Sequence, residues 1–567
     1  MLRHVSASQD GLTLKIHGGD RSSLLAFDLD AGQPDLKRLA GFSVKVTGPD
    51  GHARTLLNRL DFASGYTAAT TSKDREWTPS DEAPFQKFRW GDFPPRVMPG
   101  IYRYSATAML FGAGATGQEP RLESGPSVEA NIELLDSTHT QYELGLTRGY
   151  LSSQAYAEIF KNANIRPSGP KTINYSTKPF EAQYEWLGGH ARELVFAILR
   201  EAVSDTYIAV DAFTYDLDEP DVIRSLAALG PRLRLYQDNA SLHVGAKAME
   251  PKAMAALKSA GAAVKLGHFK RYQHNKMLLL KKNGRAYKVL AGSANFSVRG
   301  LYVQANNVFV YDDPTIAGLY EQAFEQAWND APGFAKSPIA KAYFPFAGAG
   351  IPTGEVAFSP HTSAPVSLNE VSTSIQKADS SVLFAVMELS GGGDVLSALS
   401  TAYKRRDIFS YGVTQSLGKT GTQKGVRVFT SSASGELVPF AALDKNVPKP
   451  FRKEWSGGTG QVIHDKFVVV DFNDTHPRVF AGSSNLAAGG ETSNADNLVE
   501  LTDRVVATVY AVEAIRLVDH YAFRAAMTRA TNVAPLSLQG AGAKAPWWEK
   551  YYDPQTRQYR ERTVLAR

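Results

Sequence analysis

Two short clusters in this chain carry residue types able to do chemistry at phosphorus. His274 and Lys276 are followed by Gly292, Ser293 and Asn295, and His464 and Lys466 are followed by Gly482, Ser483 and Asn485. Within each cluster the step from His to Gly is 18 residues, and every matching position is offset by 190. In an extended segment residues two apart share a face, so each histidine stands beside its lysine. Glycine allows close backbone approach, and serine and asparagine side chains can hydrogen-bond phosphate oxygens. If the two clusters pack about a pseudo-twofold axis, one cleft gains two imidazoles, two ammonium groups, two hydroxyls and two amides. That set suits phosphodiester cleavage. The lysines neutralise the charge that shifts in the transition state. One histidine attacks phosphorus to form a covalent intermediate, and the other protonates the leaving oxygen and then deprotonates water. No metal or other cofactor is called for. A lone His-x-Lys before a strand is common, and the repetition in register is what gives the pattern weight.

The elements needed to position these residues are visible as apolar runs. Met277–Leu280 and Tyr287–Leu290 flank a turn at Lys282-Asn283-Gly284, and Phe467–Val470 and Arg478–Ala481 form the matching pair. Before each pair come alternating helical and strand-like segments, among them strands at 207–210, 233–236 and 382–386 and helices at 191–200, 221–229 and 395–404. This alternation predicts α/β halves with mostly parallel, helix-covered sheets over 189–345 and 354–527, joined through a Gly- and Pro-rich stretch. A helix and irregular connector are expected over 151–188. Residues 1–150 read as short strands broken by Gly, Pro and Asp, a β-sandwich-like domain with no catalytic constellation. The tail, 528–567, is aromatic and basic and is expected to pack rather than line a cleft.

Composition bounds the rest. The 567 residues exceed one core, and 43% hydrophobic content is globular. Cysteine is absent, which excludes disulfides and thiolate zinc sites. No signal-peptide core and no transmembrane segment are seen, so a cytoplasmic location is expected. Net charge is only +5, yet nine basic and no acidic residues lie between Lys265 and Arg299. A second enrichment runs from Lys404 to Lys453. Such fields attract an anionic phosphodiester. Phe269, Tyr272, Tyr287 and Phe296 interleave with the first run, so nucleic acid is favoured over phospholipid as partner. Lys270, Arg271, Lys281 and Arg299 are the candidate nucleic-acid contacts. His268 and His476 read as surface residues. Nothing in the sequence sets the oligomeric state.

The two clusters resemble the phospholipase D superfamily, whose motif is His-x-Lys-x(4)-Asp followed by Gly-Ser-x-Asn, and the resemblance covers roughly 185–525. It implies a duplicated fold of two pseudo-twofold-related mixed sheets flanked by helices, and metal-independent chemistry through phosphohistidine. By this resemblance His274 is the nucleophile and His464 the general acid and base, with the reverse assignment as the alternative because Asp471 completes the second motif. The second motif is complete with Asp471. In the first, Lys281 stands where Asp is expected. The acidic partner orienting each histidine is not legible: Asn306 and Asn307 follow the first cluster, and Asn497 and Glu500 follow the second, off the family's spacing. The superfamily spans nucleases and phospholipases, so a nuclease is the leading expectation. A phospholipase D or transphosphatidylase, and a phosphate-binding protein without turnover, are the alternatives.

Overall fold

The fold is taken from a computed structural model, which describes residues 3–62, 77–94, 96–112, 121–135, 139–149, 153–169, 171–387, 394–416, 425–430, 434–439, 463–529 and 536–566. Of the second basic run, Lys419, Lys424, Asp444, Lys445, Lys449, Arg452 and Lys453 lie outside the described residues.

Two large sheets carry the two clusters. The first runs in the order Tyr142–Leu146, Asn307–Tyr311, Arg285–Gly292, Met277–Lys282, Ile208–Thr214, Leu233–Asp238 and Ala263–Gly267. The second contains Asn494–Leu501, Arg478–Gly482, Phe467–Val470, Ser381–Val386 and Phe409–Ser416 in the same relative order as the five strands from 307–311 to 233–238. Strand directions match as well. Ile208–Thr214 is parallel to Leu233–Asp238, and Ser381–Val386 is parallel to Phe409–Ser416, while the other pairs within each five are antiparallel. The sheets are therefore mixed, not mostly parallel as the alternation suggested. Hairpins supply the antiparallel share. Asn283 and Gly284 both have positive φ, at 52° and 77°, the geometry a two-residue hairpin turn requires.

Helices cover these sheets. Helix Glu181–Ser204 is longer than its apolar run implied and bends at Gly189, whose φ is 52°. Helix Pro314–Asp330 packs on the first sheet and Arg504–Arg529 on the second. The stretch read as a linker forms a short strand instead, Phe344–Phe346, paired with Gly354–Ser359. Tyr142–Leu146, within the region read as N-terminal, pairs with Asn307–Tyr311 at the edge of the first sheet.

The N-terminal region folds as two four-stranded sheets around a shared apolar core of alternating inward residues such as Leu14, Phe27, Phe42 and Tyr104. The aromatic tail completes that core: Trp547 and Tyr551 pack against Phe88. Buried charges tie the sandwich to the rest. Arg89 pairs with Asp519 and Glu561, and Arg562 pairs with Asp28. Among the described residues no helix is long and apolar enough to cross a membrane.

Candidate active site

Each His-x-Lys lies just ahead of a strand, and its backbone is held by the opposite sheet. Tyr272–Gln273 pairs in parallel with Asn494–Ala495, and the His274 amide donates to Ala495 O at 2.9 Å. The equivalent contact joins Ala305 to Ile463, and the His464 amide donates to Ala305 O at 3.1 Å. This crossing brings the two imidazoles together, with ring centroids 6.5 Å apart.

The crossing also supplies each histidine with its acceptor. His274 Nδ1 lies 2.7 Å from Asp496 Oδ1, and His464 Nδ1 lies 2.8 Å from Asn306 Oδ1. Asn306 and Asp496 are themselves 190 residues apart. The Asn306 amide has one possible orientation, because its Nδ2 donates to Gly300 O at 2.8 Å. Its Oδ1 therefore faces His464, so His464 Nδ1 carries a proton. A carboxylate imposes the same tautomer on His274. Both Nε2 atoms are left for the cavity, which has a volume of about 500 Å³ and is lined by both histidines.

The serines support these acceptors instead of facing the phosphate site. Ser293 Oγ donates to Asn306 Oδ1 at 2.8 Å, and Ser483 Oγ donates to Asp496 Oδ1 at 2.7 Å. Each hydroxyl has one proton, and it is already used. This corrects the expectation that they bind phosphate directly. Gly292 and Gly482 have φ of 145° and 141°, and a Cβ on either would lie 2.4 Å from Asn307 O or Asn497 O. They permit the close approach that lets serine reach across. The residue between His and Lys is also used: Asn307 donates to Asp465 at 3.0 Å, and Asn497 donates to Asn275 at 2.8 Å.

Lys276 and Lys466 lie buried behind the histidines, each bonded to its own histidine carbonyl. Burial pushes Lys276 down to about 8. Burial, reinforced by Lys276, holds Lys466 well below the ordinary lysine value. Burial and the two lysines likewise depress His274, and burial and the lysines depress His464. Burial pushes the Asp496 carboxyl up to about 7. These directions share one cause, four basic groups buried side by side.

Asn295 and Asn485 both line the cavity. Asn295 Nδ2 is held by Asp216 at 2.9 Å, and Asp216 bonds His243 Nε2 at 3.0 Å. His243 Nδ1 in turn bonds Asp238 at 2.7 Å, and the other oxygen of Asp238 accepts the Gln273 amide at 2.6 Å. Although burial opposes its charge, hydrogen bonds to Asp216 and Asp238 raise His243 to about 9. This chain of bonds fixes Asn295 and the backbone entering His274, and no motif announces it because its members are far apart in sequence. Asp216, His243 and Glu250 also offer donor atoms within 4.8 Å of one another, a possible metal ligand set. A cation there would have to displace the existing bond between Asp216 and His243.

Asp471 is corrected by its placement. It lies at the far end of strand Phe467–Val470 with φ of 54°, accepting the amides of Asp379, Ser380 and Ser381 at 2.7 to 3.1 Å. It fastens the start of strand Ser381–Val386 and does not line the cavity of the two histidines. Lys281, the equivalent position, is held by Asp211, Glu321 and Glu325 and cannot serve as a nucleic-acid contact. Arg271 and Arg299 line the cavity, while Lys270 is exposed outside it. Lys282 and Lys288 are engaged by acidic partners. Of the four aromatic residues, Phe269 and Phe296 are buried in the core and Tyr287 bonds Glu201. Only Tyr272 reaches the cavity. His268 and His476 are exposed.

Paired imidazoles held across two matching sheets define a two-histidine site assembled from repeated motifs. Residues 195–328 match the family model described as cardiolipin synthase, PLD-like domain. That match spans about a quarter of the chain and agrees with the likeness of both clusters to the phospholipase D superfamily. It is 30% identical over 114 residues to the mitochondrial cardiolipin hydrolase of Xenopus tropicalis, covering 20% of this chain and 50% of that protein. The Chlamydomonas reinhardtii mitochondrial cardiolipin hydrolase is 26% identical over 173 residues, covering 29% of this chain and 66% of that protein. The chain spans about half to two thirds of the length of the curated relatives it matches. Among solved structures, phosphatidylserine synthase from Haemophilus influenzae aligns with 58% of this chain and 84% of its own, at 12% identity and TM-score 0.39.

Proposed function

We propose that this protein is a metal-independent phosphodiesterase acting through a covalent phosphohistidine. The carrying observation is the pair of imidazoles 6.5 Å apart, each fixed through Nδ1 by the opposite sheet and each turned to one cavity. His274 is the nucleophile. Its Asp496 partner is a carboxylate, which stabilises the cationic imidazole formed when Nε2 bonds to phosphorus. His464, backed by a neutral amide, protonates the leaving oxygen and later takes a proton from water. Lys276 and Lys466 neutralise the phosphoryl oxygens.

Nucleic acid is the first substrate reading, supported by Lys171, Lys247, Arg271 and Arg299 in the cavity wall. Phospholipid is the second. It is favoured by Leu242 in that wall, which is 68% exposed with Val244 nearby at 56%, an apolar rim suited to an acyl surface. The named activity of the curated relatives points the same way.

Wild type and His464→Ala would be assayed in EDTA against single-stranded DNA, duplex DNA, RNA and vesicles of phosphatidylcholine or cardiolipin. Polynucleotide cleavage lost in the variant supports the first reading. Headgroup release with nucleic acid untouched supports the second. Phosphate-ester binding with no turnover of any substrate would overturn both and leave a binding protein.

A further inference from the structure

A second cavity, of about 310 Å³, lies where the sandwich, helix Glu181–Ser204 and helix Arg504–Arg529 meet, outside the two-histidine site. That volume is in the range of small-molecule pockets. Among the described residues its charges are matched except at one. Arg21 pairs with Glu193, Arg516 chelates Glu513 through two bonds of 2.7 Å, and Asp20 holds His190 at 2.9 Å. Arg148 has no carboxylate within ion-pair distance among the described residues. It donates to Pro94 O at 3.1 Å and lies over the Trp186 ring at 5.5 Å. Burial, together with Arg516, pushes its guanidinium down to about 10, against the weaker pull of Asp20 and Glu193. Arg148 is half-buried, and a partly desolvated cation without a paired carboxylate favours an anion beside it.

The rest of the wall is aromatic. Trp77 and Phe93 both line the cavity although each is 41% exposed, and the Trp186 indole N–H is buried without a hydrogen-bond partner. Arg59 lies over the Trp77 ring at 4.1 Å and Arg516 over Phe93 at 5.7 Å, and this aromatic wall with its unused indole donor suits a flat, polar-edged ligand. We propose that this cavity binds a planar aromatic molecule carrying one anionic group, with the anion on Arg148 and the ring against Trp186 and Phe93. Nucleoside monophosphates and aromatic carboxylates share that chemistry.

The cavity backs onto the support of His464. Thr147, in its wall, accepts the Asn306 amide on Oγ1 at 2.9 Å and donates its own amide to Asn306 O at 3.0 Å. Arg516 holds Thr147 O at 3.1 Å. Asn306 is the residue that orients His464. Occupancy therefore acts on the general acid, a consequence that rests on the phosphodiesterase reading, whereas the binding itself does not.

Calorimetric titration of the full chain with the four common nucleoside monophosphates and with 2-naphthoate tests this. The expected result is saturable binding of at least one probe to wild type and, equally, to His274→Ala. Affinity should fall at least tenfold in Arg148→Ala and in Phe93→Ala. The second variant alters a half-exposed ring and guards against a folding defect in the first. No saturable binding by either probe class, binding unchanged in Phe93→Ala, or binding lost in His274→Ala would overturn the site. The saturating probe should also alter kcat in wild type and not in Phe93→Ala. An unaltered wild-type rate would overturn the link to His464.

Discussion

Asp496 holds His274 from 222 residues away, at 2.7 Å, on a carboxyl oxygen that also accepts the Ser483 hydroxyl. Its counterpart in the other sheet, Asn306, accepts from His464 and Ser293 in the same geometry. The two histidines thus differ by one atom in their supports, an oxygen against a nitrogen, and by one negative charge.

That difference is expected to be catalytic. Asp496→Asn keeps the shape and removes the charge that stabilises cationic His274. It should lower kcat by about 10²- to 10⁴-fold with little change in KM, the range for removing a histidine's carboxylate partner. Steady-state kinetics on whichever substrate the EDTA assay identifies would check it. An undiminished kcat would remove the reason for assigning His274 as nucleophile.

The assignment itself is open to trapping. With a phosphodiester bearing a good leaving group, His464→Ala should form the phosphoenzyme and hydrolyse it slowly, so acid-labile, base-stable phosphohistidine accumulates. His274→Ala should give none. Label found on His464 in the His274 variant would reverse the two roles.

The pH dependence follows from the buried lysine. Lys276 must be charged to neutralise phosphate, and burial brings it down to about 8. The limb of kcat/KM that reports the free enzyme should therefore fall as pH rises through about 8. Stability has the opposite sign. Between about pH 8 and the ordinary lysine value of 10.5 the unfolded chain binds more protons at this position, so the contribution of Lys276 to stability rises with pH there. Thermal melts of wild type and Lys276→Met across that window should diverge, with the steeper rise in wild type, because the variant keeps only the part that Lys466 contributes. Parallel melts would show that Lys276 keeps an ordinary affinity for its proton.

Asp471 should matter for folding and not for chemistry. Asp471→Ala leaves three backbone amides without their acceptor and should cost about 2–4 kcal/mol in denaturant unfolding, with kcat nearly unchanged. Lys281→Asp, which restores the family residue, should also destabilise, by about 2–3 kcal/mol, because it sets a fourth carboxylate beside Asp211, Glu321 and Glu325. A large loss of kcat in folded Asp471→Ala would place that residue in the chemistry after all.

The sequence by itself determined the paired His-x-Lys and Gly-Ser-x-Asn clusters, their register of 190 residues and the hairpins that carry them. These are local facts, set by side-chain period, turn residues and apolar runs. The same register contained Asn306 and Asp496, but nothing local distinguishes an asparagine or aspartate that supports a histidine from one that does not. Only the tertiary structure decided that, because the contact crosses between sheets. It also decided the fate of the basic run. Lys281, Lys282 and Lys288 read as a field for nucleic acid, yet each is met by acidic side chains remote in sequence. Charge is additive along a sequence, but the field a substrate feels depends on which charges are left unmatched when the chain folds.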